Sequence, residues 1–360
     1  MMLGLPNVNI AFKTKASTAM QRGERGIVAL ILKEKGPVNN PINISTITDI
    51  PTGFTAENKE QIELALRGGV NPPKKVVVYA IQPEATDYNE ALKYLEVTKF
   101  NYLAIPFIEK EAANIIATWT KELRDTKDVK IKAVLPHTPA DHEGVINFDT
   151  DDIRVGEKTY SAAQYCARIA GILAGCPLNM SATYTVLPEV DDVPHLTKEE
   201  ADKAINEGKL ILINDGEKCK IARAINSLTS TTKDKGEDFK KILIVDKNDM
   251  WHDDVKRTVS DYYLGKYANT YDNKILLITA IQAYNDQLAL EGLLDSSSTE
   301  YNKVFIDIAA QKTYLKSIGE DVENMKDQDL KEANTKDKVF IASNLKWTDA
   351  MEDFNINVTI

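Results

Sequence analysis

The sequence has few of the residues that metal and cofactor sites use, and it has no excess of positive charge. Among 360 residues there are 3 cysteines and 4 histidines. There are 44 Lys and Arg residues and 54 Asp and Glu residues, which gives a net charge of -10. Because nucleic-acid binding depends on cations that neutralise phosphates, a chain without a basic cluster is not expected to bind DNA or RNA. The cysteines have unrelated spacings and predict small buried side chains at Cys166, Cys176 and Cys219.

Long apolar runs are also missing. The longest, over residues 162–178, is interrupted by Gln164 and Arg168 and is shorter than the roughly 20 residues of a membrane span. The amino terminus has no basic stretch ahead of an apolar core, so a signal peptide is not predicted. The composition, 43% hydrophobic and 27% charged, predicts a folded cytosolic protein of two or three domains without membrane insertion.

The sequence contains only fragments of catalytic and ligand-binding motifs. His137 and His142 do not have the spacing of a zinc helix. The acidic stretch that starts at Asp149 lacks the glycine and glutamate of a calcium loop, and Ser181 is outside a nucleophile elbow. The sequence therefore predicts no catalytic residue, no metal site and no cofactor.

The middle of the chain alternates strand-like and helix-like segments. Apolar, β-branched runs at residues 75–81, 101–106 and 129–136 are separated by amphipathic stretches that begin near Asp87 and cover residues 111–126. Such alternation predicts parallel strands joined by helices that cover both faces of a sheet. The fold class predicted for this part is α/β.

Further along, the patterns predict a hairpin and then long helices. A capping box joins Thr197 to Glu200, and Asp215-Gly216 has the composition of a hairpin turn. From about Asp249 the spacing becomes helical, and a second helix has one apolar face. That face consists of Leu277, Ile281, Tyr284 and Leu288.

Both ends of the chain have the alternation of a strand with one apolar face. The apolar positions are Val8, Ile10 and Phe12 at the start and Phe354, Ile356, Val358 and Ile360 at the end. Neither strand has an adjacent hairpin partner, and unpaired strand edges must bond to something. Each can complete a sheet in its own subunit or be donated to a neighbour, and donated strands generate open helical arrays when they do not close a ring.

Reach and charge are compatible with donation. Twenty extended residues span about 60 Å, whereas a compact chain of this length has a diameter on the order of 50 Å. The leading segment is basic, and the trailing segment is acidic through Asp349, Glu352 and Asp353. A basic arm could therefore meet an acidic tail.

Three segments resemble the tail sheath proteins of contractile phage tails, including defective prophage tails and R-type bacteriocins. They are RGIVALILKEKGPVNNPINI at residues 25–44, the stretch at residues 225–274 and DAMEDFNINVTI at residues 349–360. The resemblance implies an α/β fold, α+β overall, with a small β-rich amino-terminal part. It also implies a subtilisin-like α/β core without a catalytic triad, and a carboxyl-terminal α/β domain with extended terminal strand arms.

The resemblance also implies a division of the chain and roles for particular residues. The segments are 1–25 (arm and linker), 26–74 (β-rich), 75–224 (core), 225–345 (carboxyl-terminal sheath domain) and 346–360 (arm strand). The terminal apolar residues would form strand arms between subunits. The expected hinge residues are Lys13, Lys15, Gly23 and Gly26. The candidate tube contacts are Lys256 and Arg257, and the alternative is a solvated face of mixed charge, because Asp253, Asp254 and Asp261 share that helix.

The function that the resemblance implies is structural. Subunits would form sixfold rings stacked into a helical sheath around an inner tail tube, with baseplate and tail-terminator proteins as further partners. Energy stored in a metastable extended lattice would drive the tube through a bacterial envelope. Assembly would occur in the host cytoplasm, and lysis would release a virion or bacteriocin particle. The alternative is a cytosolic α/β enzyme or small-molecule-binding protein, because fold does not fix function.

Overall fold

The computed structural model describes residues 19–36, 39–233, 235–297 and 299–359. Within these ranges the chain divides into two units. The sheet unit contains residues 23–253 and 347–359, and the helical unit contains residues 19–22 and 254–346. Across the described ranges, every helix is too short or too polar to cross a bilayer.

Strands and helices alternate through most of the chain. The strands are β1 (Ile27–Lys33), β2 (Ile42–Ile44), β3 (Lys75–Ile81), β4 (Tyr102–Ala104), β5 (Lys132–Pro136), β6 (Val145–Phe148), β7 (Ile153–Val155), β8 (Lys158–Tyr160), β9 (Lys209–Leu210), β10 (Leu212–Asn214), β11 (Cys219–Ile221), β12 (Lys303–Ile306) and β13 (Ile341–Asn344). The α-helices are α1 (Ala56–Arg67), α2 (Asn89–Leu95), α3 (Lys110–Asp125), α4 (Ala162–Gly175), α5 (Lys198–Asn206), α6 (Ile242–Tyr262), α7 (Tyr271–Leu290), α8 (Ile308–Ser317) and α9 (Asp327–Glu332).

A mixed sheet of seven strands is the centre of the sheet unit. Its order is β2-β3-β1-β4-β5-β6-β9, and all neighbours are parallel except the β2–β3 pair. Alternate residues of β1 belong to two cores: Val28, Leu30 and Leu32 pack with α1 and α4, whereas Ile27, Ala29 and Ile31 pack with α2 and α3. Helices on both faces explain why the central strands are almost continuously apolar.

Several elements confirm the sequence-based predictions. The strand at residues 75–81 has the predicted bounds, and the alternating core forms parallel strands. Thr197 caps α5 in a box with Glu200. Strands β10 and β11 pair around the Asp215-Gly216 turn. The predicted apolar face of α7 is buried at Leu277, Ile281, Tyr284 and Leu288.

Other elements differ from the predictions. Helix α6 begins at Ile242, whereas the sequence pattern placed its start near Asp249. The buried run Ile242–Val245 is the first part of this helix. The difference arises because a short apolar run does not distinguish a buried helix from a strand. Strand β1, from the predicted segment 26–74, lies between β3 and β4 of the predicted core, so both segments share one sheet. The boundary between the two units lies near residue 254, and the domain division that the resemblance implies stays a prediction.

The helical unit contains the last 9 residues of α6, Asp254–Tyr262, together with α7, α8, α9 and a two-stranded antiparallel sheet of β12 and β13. Thr270 caps α7 by accepting a bond from the Asn273 N–H group. A small core forms where α8 and α9 meet, from Leu315, Val322 and Leu330. Strand β12 was not predicted from the sequence.

Helices α1 and α4 approach each other closely where glycine is required. A Cβ atom on Gly171 would lie 2.0 Å from the Ala65 carbonyl oxygen, and one on Gly175 would lie 1.9 Å from that of Asn71. These contacts are with backbone atoms, which cannot rotate away. The two glycines are therefore required by packing against α1 and the loop that follows it.

We expect Gly171→Ala to lower the free energy of unfolding by about 1–3 kcal/mol, because the added methyl group overpacks the helix contact. Gly53→Ala is the matched control, since a Cβ there meets no atom within 4 Å. Urea unfolding of both variants measures the difference. Equal stability of the two variants would contradict the close-packing explanation.

Candidate functional site

The carboxyl-terminal segment of the chain is a tail without regular secondary structure. Residues 345–359 are outside helices and strands apart from a bridge at Trp347. We call residues 347–353 the tail root and residues 354–359 the free tail. The two parts differ in their contacts with the sheet unit.

Hydrogen bonds and ion pairs hold the tail root on the sheet unit. Trp347 Nε1 donates to Asn248 Oδ1 at 2.8 Å, and Lys247 Nζ donates to the Thr348 carbonyl oxygen at 2.7 Å. Lys247 is buried, and burial lowers its pKa to about 8. Its partner in this bond is a neutral carbonyl group, so the bond fixes the direction of the chain without an ion pair.

The acidic residues of the tail root are paired within the same subunit. Asp349 pairs with Lys241. Thr183 Oγ1 donates to Glu352 Oε1 at 2.6 Å, and Arg223 Nη2 donates to Asp353 Oδ1 at 2.6 Å. The sequence had suggested that these carboxylates could meet a basic arm. In the structure these carboxylates bind side chains of the sheet unit and so hold the tail root of the same subunit in place.

The free tail leaves the surface after Asp353. Phe354, Ile356 and Val358 are 70%, 77% and 78% exposed. Exposed apolar side chains at every second position form an unburied stripe, and the free tail has no strand partner within the described residues. Of the predicted carboxyl-terminal arm residues, Ile360 lies outside the described residues.

The predicted amino-terminal arm lies outside the described residues: Val8, Ile10, Phe12, Lys13 and Lys15. The two glycines predicted as hinge residues are described. Gly23 is the first residue of the sheet unit after Arg22, and Gly26 has φ +76 directly before β1. A Cβ on Gly26 would lie 3.0 Å from the Ala174 carbonyl oxygen. The positive φ and this close approach favour glycine at residue 26 even without any hinge motion.

The residues predicted to contact a tube lie on the second half of α6. Lys256 is exposed. Arg257 is half-buried, where it donates to the Gln21 carbonyl oxygen and lies 3.3 Å from Asp254 Oδ1. The guanidinium of Arg257 therefore already has partners in its own helical unit.

Sequence reasoning missed a buried ion cluster at the amino ends of the parallel strands. Arg124 binds both carboxylate oxygens of Asp249, with Nη1 to Oδ2 at 3.0 Å and Nη2 to Oδ1 at 2.9 Å. Lys132, at the start of β5, donates to Asp249 at 2.6 Å and pairs with Asp246 at 2.9 Å. Tyr102, at the start of β4, donates to Asp246 Oδ2 at 2.7 Å.

The topology explains why these groups meet. Parallel strands have their amino ends at one edge of the sheet, so Tyr102 and Lys132 converge there, and Arg25 joins them just before β1 with a 2.8 Å bond to the Asp246 carbonyl oxygen. Asp246 and Asp249 share one face of α6 because they are three residues apart. The cluster thus fixes the first half of α6 against the sheet.

Burial and charge act in opposite directions on Asp249. Burial favours the neutral carboxyl group, but Arg124 and Lys132 hold the pKa of Asp249 well below its ordinary value. Burial, with the nearby Asp246, raises the pKa of Tyr102. At neutral pH the cluster therefore contains a charged aspartate and a neutral phenol.

A second group of titratable residues lies near the carboxyl end of α3. His142 Nε2 is 3.1 Å from Asp125 and 3.6 Å from Glu143, and its Nδ1 accepts a bond from the Gly144 N–H group. The Lys235 ammonium already donates to both Glu143 oxygens, at 2.9 and 3.0 Å. These residues form an ion-pair cluster, and we do not assign them as a metal site.

The cysteines largely follow the sequence-based prediction. Cys166 and Cys219 are buried and Cys176 is half-buried, and all three are free thiols. Burial raises the pKa of the Cys176 thiol to about 12. At neutral pH this thiol is protonated, so it is a poor nucleophile.

We expect Asp249→Asn to lower the free energy of unfolding by about 3–5 kcal/mol, because buried Arg124 loses its bidentate carboxylate and buried Lys132 loses one of its two carboxylate partners. Asp261→Asn on the exposed face of α6 is the control, with a change within about 0.5 kcal/mol. Urea unfolding measures both. Equal values would show that the cluster does not stabilise the unit.

The same aspartate gives a pH dependence. Its folded pKa is lower than its unfolded pKa, so its contribution is fully present above about pH 4 and is lost as pH falls towards the folded pKa. We expect the free energy of unfolding to fall more steeply below pH 4 in the unmodified protein than in Asp249→Asn. Parallel acid profiles would contradict this assignment.

The chain is similar to known sheath proteins over its whole length. Residues 82–227 match the family described as the phage tail sheath protein central domain. A tail sheath protein of Clostridium phage phiCD119 is 40% identical over 363 aligned residues, covering 99% of both chains.

Solved structures show the same fold. The sheath tail protein of Desulfitobacterium hafniense has a TM-score of 0.72 at 21% identity, covering 84% of this chain and 94% of that one. The helical sheath of the anti-feeding prophage in its contracted state has a TM-score of 0.71 at 14% identity, covering 99% of each chain. Because a full-length relative is 40% identical, this chain belongs to the phage tail sheath protein family.

Proposed function

We propose that this chain is the structural subunit of a contractile tail sheath, polymerising helically around an inner tail tube. Support comes from the full-length similarity to a tail sheath protein and from the likeness to a helical sheath in a contracted state. The observation that carries the proposal is the tail, which has an anchored root and an exposed apolar stripe. A subunit with such a tail has an unsatisfied strand to offer.

Strand exchange links the subunits in this proposal. The free tail of one copy pairs with the carboxyl-terminal part of another, and the amino-terminal arm makes a second link. One arm contributes about four main-chain hydrogen bonds of about 1 kcal/mol each. Two or three buried side chains add about 1.5–3 kcal/mol each, before the cost of ordering the arm. Each link is weak, so the lattice depends on many of them.

Contraction follows from stored lattice energy rather than from a chemical reaction. Sixfold rings assemble in an extended state that persists kinetically, and a signal from the baseplate releases it. Subunits then move as rigid bodies while the segments around Gly23 and Asp353 change angle. The proposal includes no catalytic step and no cofactor, and it places assembly in the host cytoplasm with release by lysis.

The tube contact in this proposal involves the second half of α6. Lys256 is exposed there and Arg257 is half-buried, and both side chains would exchange their present partners to contact the tube. An acidic surface on the tube would complement these side chains. A tail terminator would cap the last ring.

We expect Ile356→Asp to abolish tubes formed by the purified protein, because a charge on the apolar stripe opposes burial in a partner subunit. Asn357→Asp adds the same charge on the opposite side of the strand, and we expect it to retain tubes. Electron microscopy of both variants at equal concentration measures this. Tubes formed equally well by both variants would contradict strand donation by the tail.

Deletion of Met1 to Phe12 tests the second arm. We expect the truncated chain to remain folded and soluble but monomeric, because the seven-stranded sheet and its helices form from residues 27 onward. Size-exclusion chromatography gives the oligomeric state, and circular dichroism gives the fold. Long tubes from the truncated chain would contradict a role for the amino-terminal arm.

A further inference from the structure

His252, in the part of α6 that belongs to the sheet unit, lies between two carboxylates. Its Nε2 is 2.8 Å from Asp128 Oδ1 and 2.9 Å from Asp128 Oδ2, and its Nδ1 is 3.1 Å from Asp253 Oδ1. The His252 side chain is 25% exposed. Each ring nitrogen therefore faces a negatively charged acceptor.

A neutral imidazole cannot satisfy both of these contacts. It has one N–H donor and one nitrogen lone pair, whereas the protonated ring has two donors. In the neutral ring, one of the two carboxylates would face a lone pair instead of a proton, and that contact is repulsive. The geometry around His252 therefore fits the protonated ring, which donates a charge-assisted hydrogen bond to each carboxylate.

His142 has the opposite arrangement in the same unit. Its Nδ1 accepts a bond from the Gly144 N–H group, so the lone pair of a neutral ring is already used. Burial lowers the pKa of His142. Burial also acts to lower the pKa of His252, but hydrogen bonds to Asp253 and Asp128 outweigh burial and hold that pKa above its ordinary value. The two rings therefore change charge in different pH ranges.

Lys130 faces His252 from the connection between α3 and β5. It pairs with Asp128 Oδ1 at 3.0 Å and donates to the Arg124 carbonyl oxygen at 3.0 Å. Its charge acts against protonation of His252. Because Lys130 binds Asp128 in either state of the ring, loss of the proton from His252 weakens the contact with α6 and leaves the connection itself in place.

Two further charges lie one turn away from His252 on α6. Asp249 precedes the ring by three residues, and Lys256 follows it by four. The charge of Asp249 is already balanced in the buried ion cluster, and the Lys256 ammonium acts against protonation of the ring. Asp128 and Asp253 are therefore the groups that favour the protonated state.

The position of His252 along α6 gives its proton a structural consequence. Asn248, one turn earlier, accepts the hydrogen bond from Trp347 of the tail root. Asp128 lies outside α6, between α3 and β5. A charged bond between His252 and Asp128 therefore attaches the turn of α6 that follows the tail-root contact to another part of the sheet unit.

We infer that His252 is a pH-sensitive clamp, which attaches α6 to the connection between α3 and β5 through Asp128 when the ring is protonated and releases it when the proton is lost. The buried ion cluster still holds α6 after release. The turn beyond Asn248 then has one attachment fewer. This clamp acts within a single subunit, so it does not depend on the assembly of a sheath.

The pH dependence of stability tests the clamp in the full-length chain. Since the folded pKa of His252 is above its unfolded value of about 6.5, the contribution is fully present below about pH 6.5 and is lost as pH rises through the folded pKa. We expect the folding constant of the unmodified chain, divided by that of His252→Gln, to fall by about threefold or more between about pH 6 and about pH 8.5. Urea unfolding of dilute, unassembled protein measures this ratio. A constant ratio would overturn the inference.

Substitution of the partner carboxylate gives a matched pair of variants. Residue 128 has a φ of 56, which Asn adopts as readily as Asp does, so Asp128→Asn preserves the backbone. We expect Asp128→Asn to reduce the change in folding constant that His252 produces over the same pH range by about half or more. Asp261→Asn removes one charge from an exposed position of α6 and leaves that change unaltered. Equal effects of the two variants would contradict a clamp through Asp128.

Imidazole NMR measures the proton on the ring directly. The chain has 4 histidines, so the Cε1–H signal of His252 is the one that disappears in His252→Gln. We expect this signal in the unmodified chain to titrate above about pH 6.5, and to move towards that value in Asp128→Asn. Titration at or below about pH 6.5 in the unmodified chain would show that the carboxylates do not hold the proton, and the clamp would be wrong.

Discussion

The buried pairing of Asp249 with Arg124 and Lys132 is the interaction on which the rest of the structure depends. It holds the first half of α6 at the amino ends of β4 and β5. The same part of α6 presents Lys247 and Asn248, which hold the tail root. One helix is therefore fixed to the sheet on one side and bound to the tail on another, so the direction of the tail depends on a charge cluster that the tail does not contact.

Buried ion pairs are an expensive way to fix a helix, since each ion loses its hydration. Apolar residues of the same volume could pack as tightly, but their contacts are not directional. A bidentate guanidinium and an ammonium that share one carboxylate define position and angle together. Such a defined position and angle suits α6, because a small rotation of this helix would move the tail root with it.

Periodicity was enough to predict much of this fold. The runs at residues 75–81 and 101–106 have uniform apolar patterns, and their burial follows directly from them. The start of α6 could not be predicted, because an apolar run of four residues suits a helix or a strand equally well. In the sequence, Lys132 and Asp249 look like ordinary surface residues because they are charged. Only the convergence of strand ends brings them together, and that is a property of topology.

The tail illustrates the same division between local and long-range information. Its alternation was visible in the sequence, but its anchoring through Arg223 and Thr183 was not, because those residues are more than a hundred positions away. The anchoring has a geometric consequence. Residues 354–359 extend over about 20 Å, and they begin at a fixed point on the surface. If the tail is donated as proposed, a partner subunit bound to it could rotate within that radius but not move beyond it, so each link would set the largest distance between two neighbours while leaving their angle free.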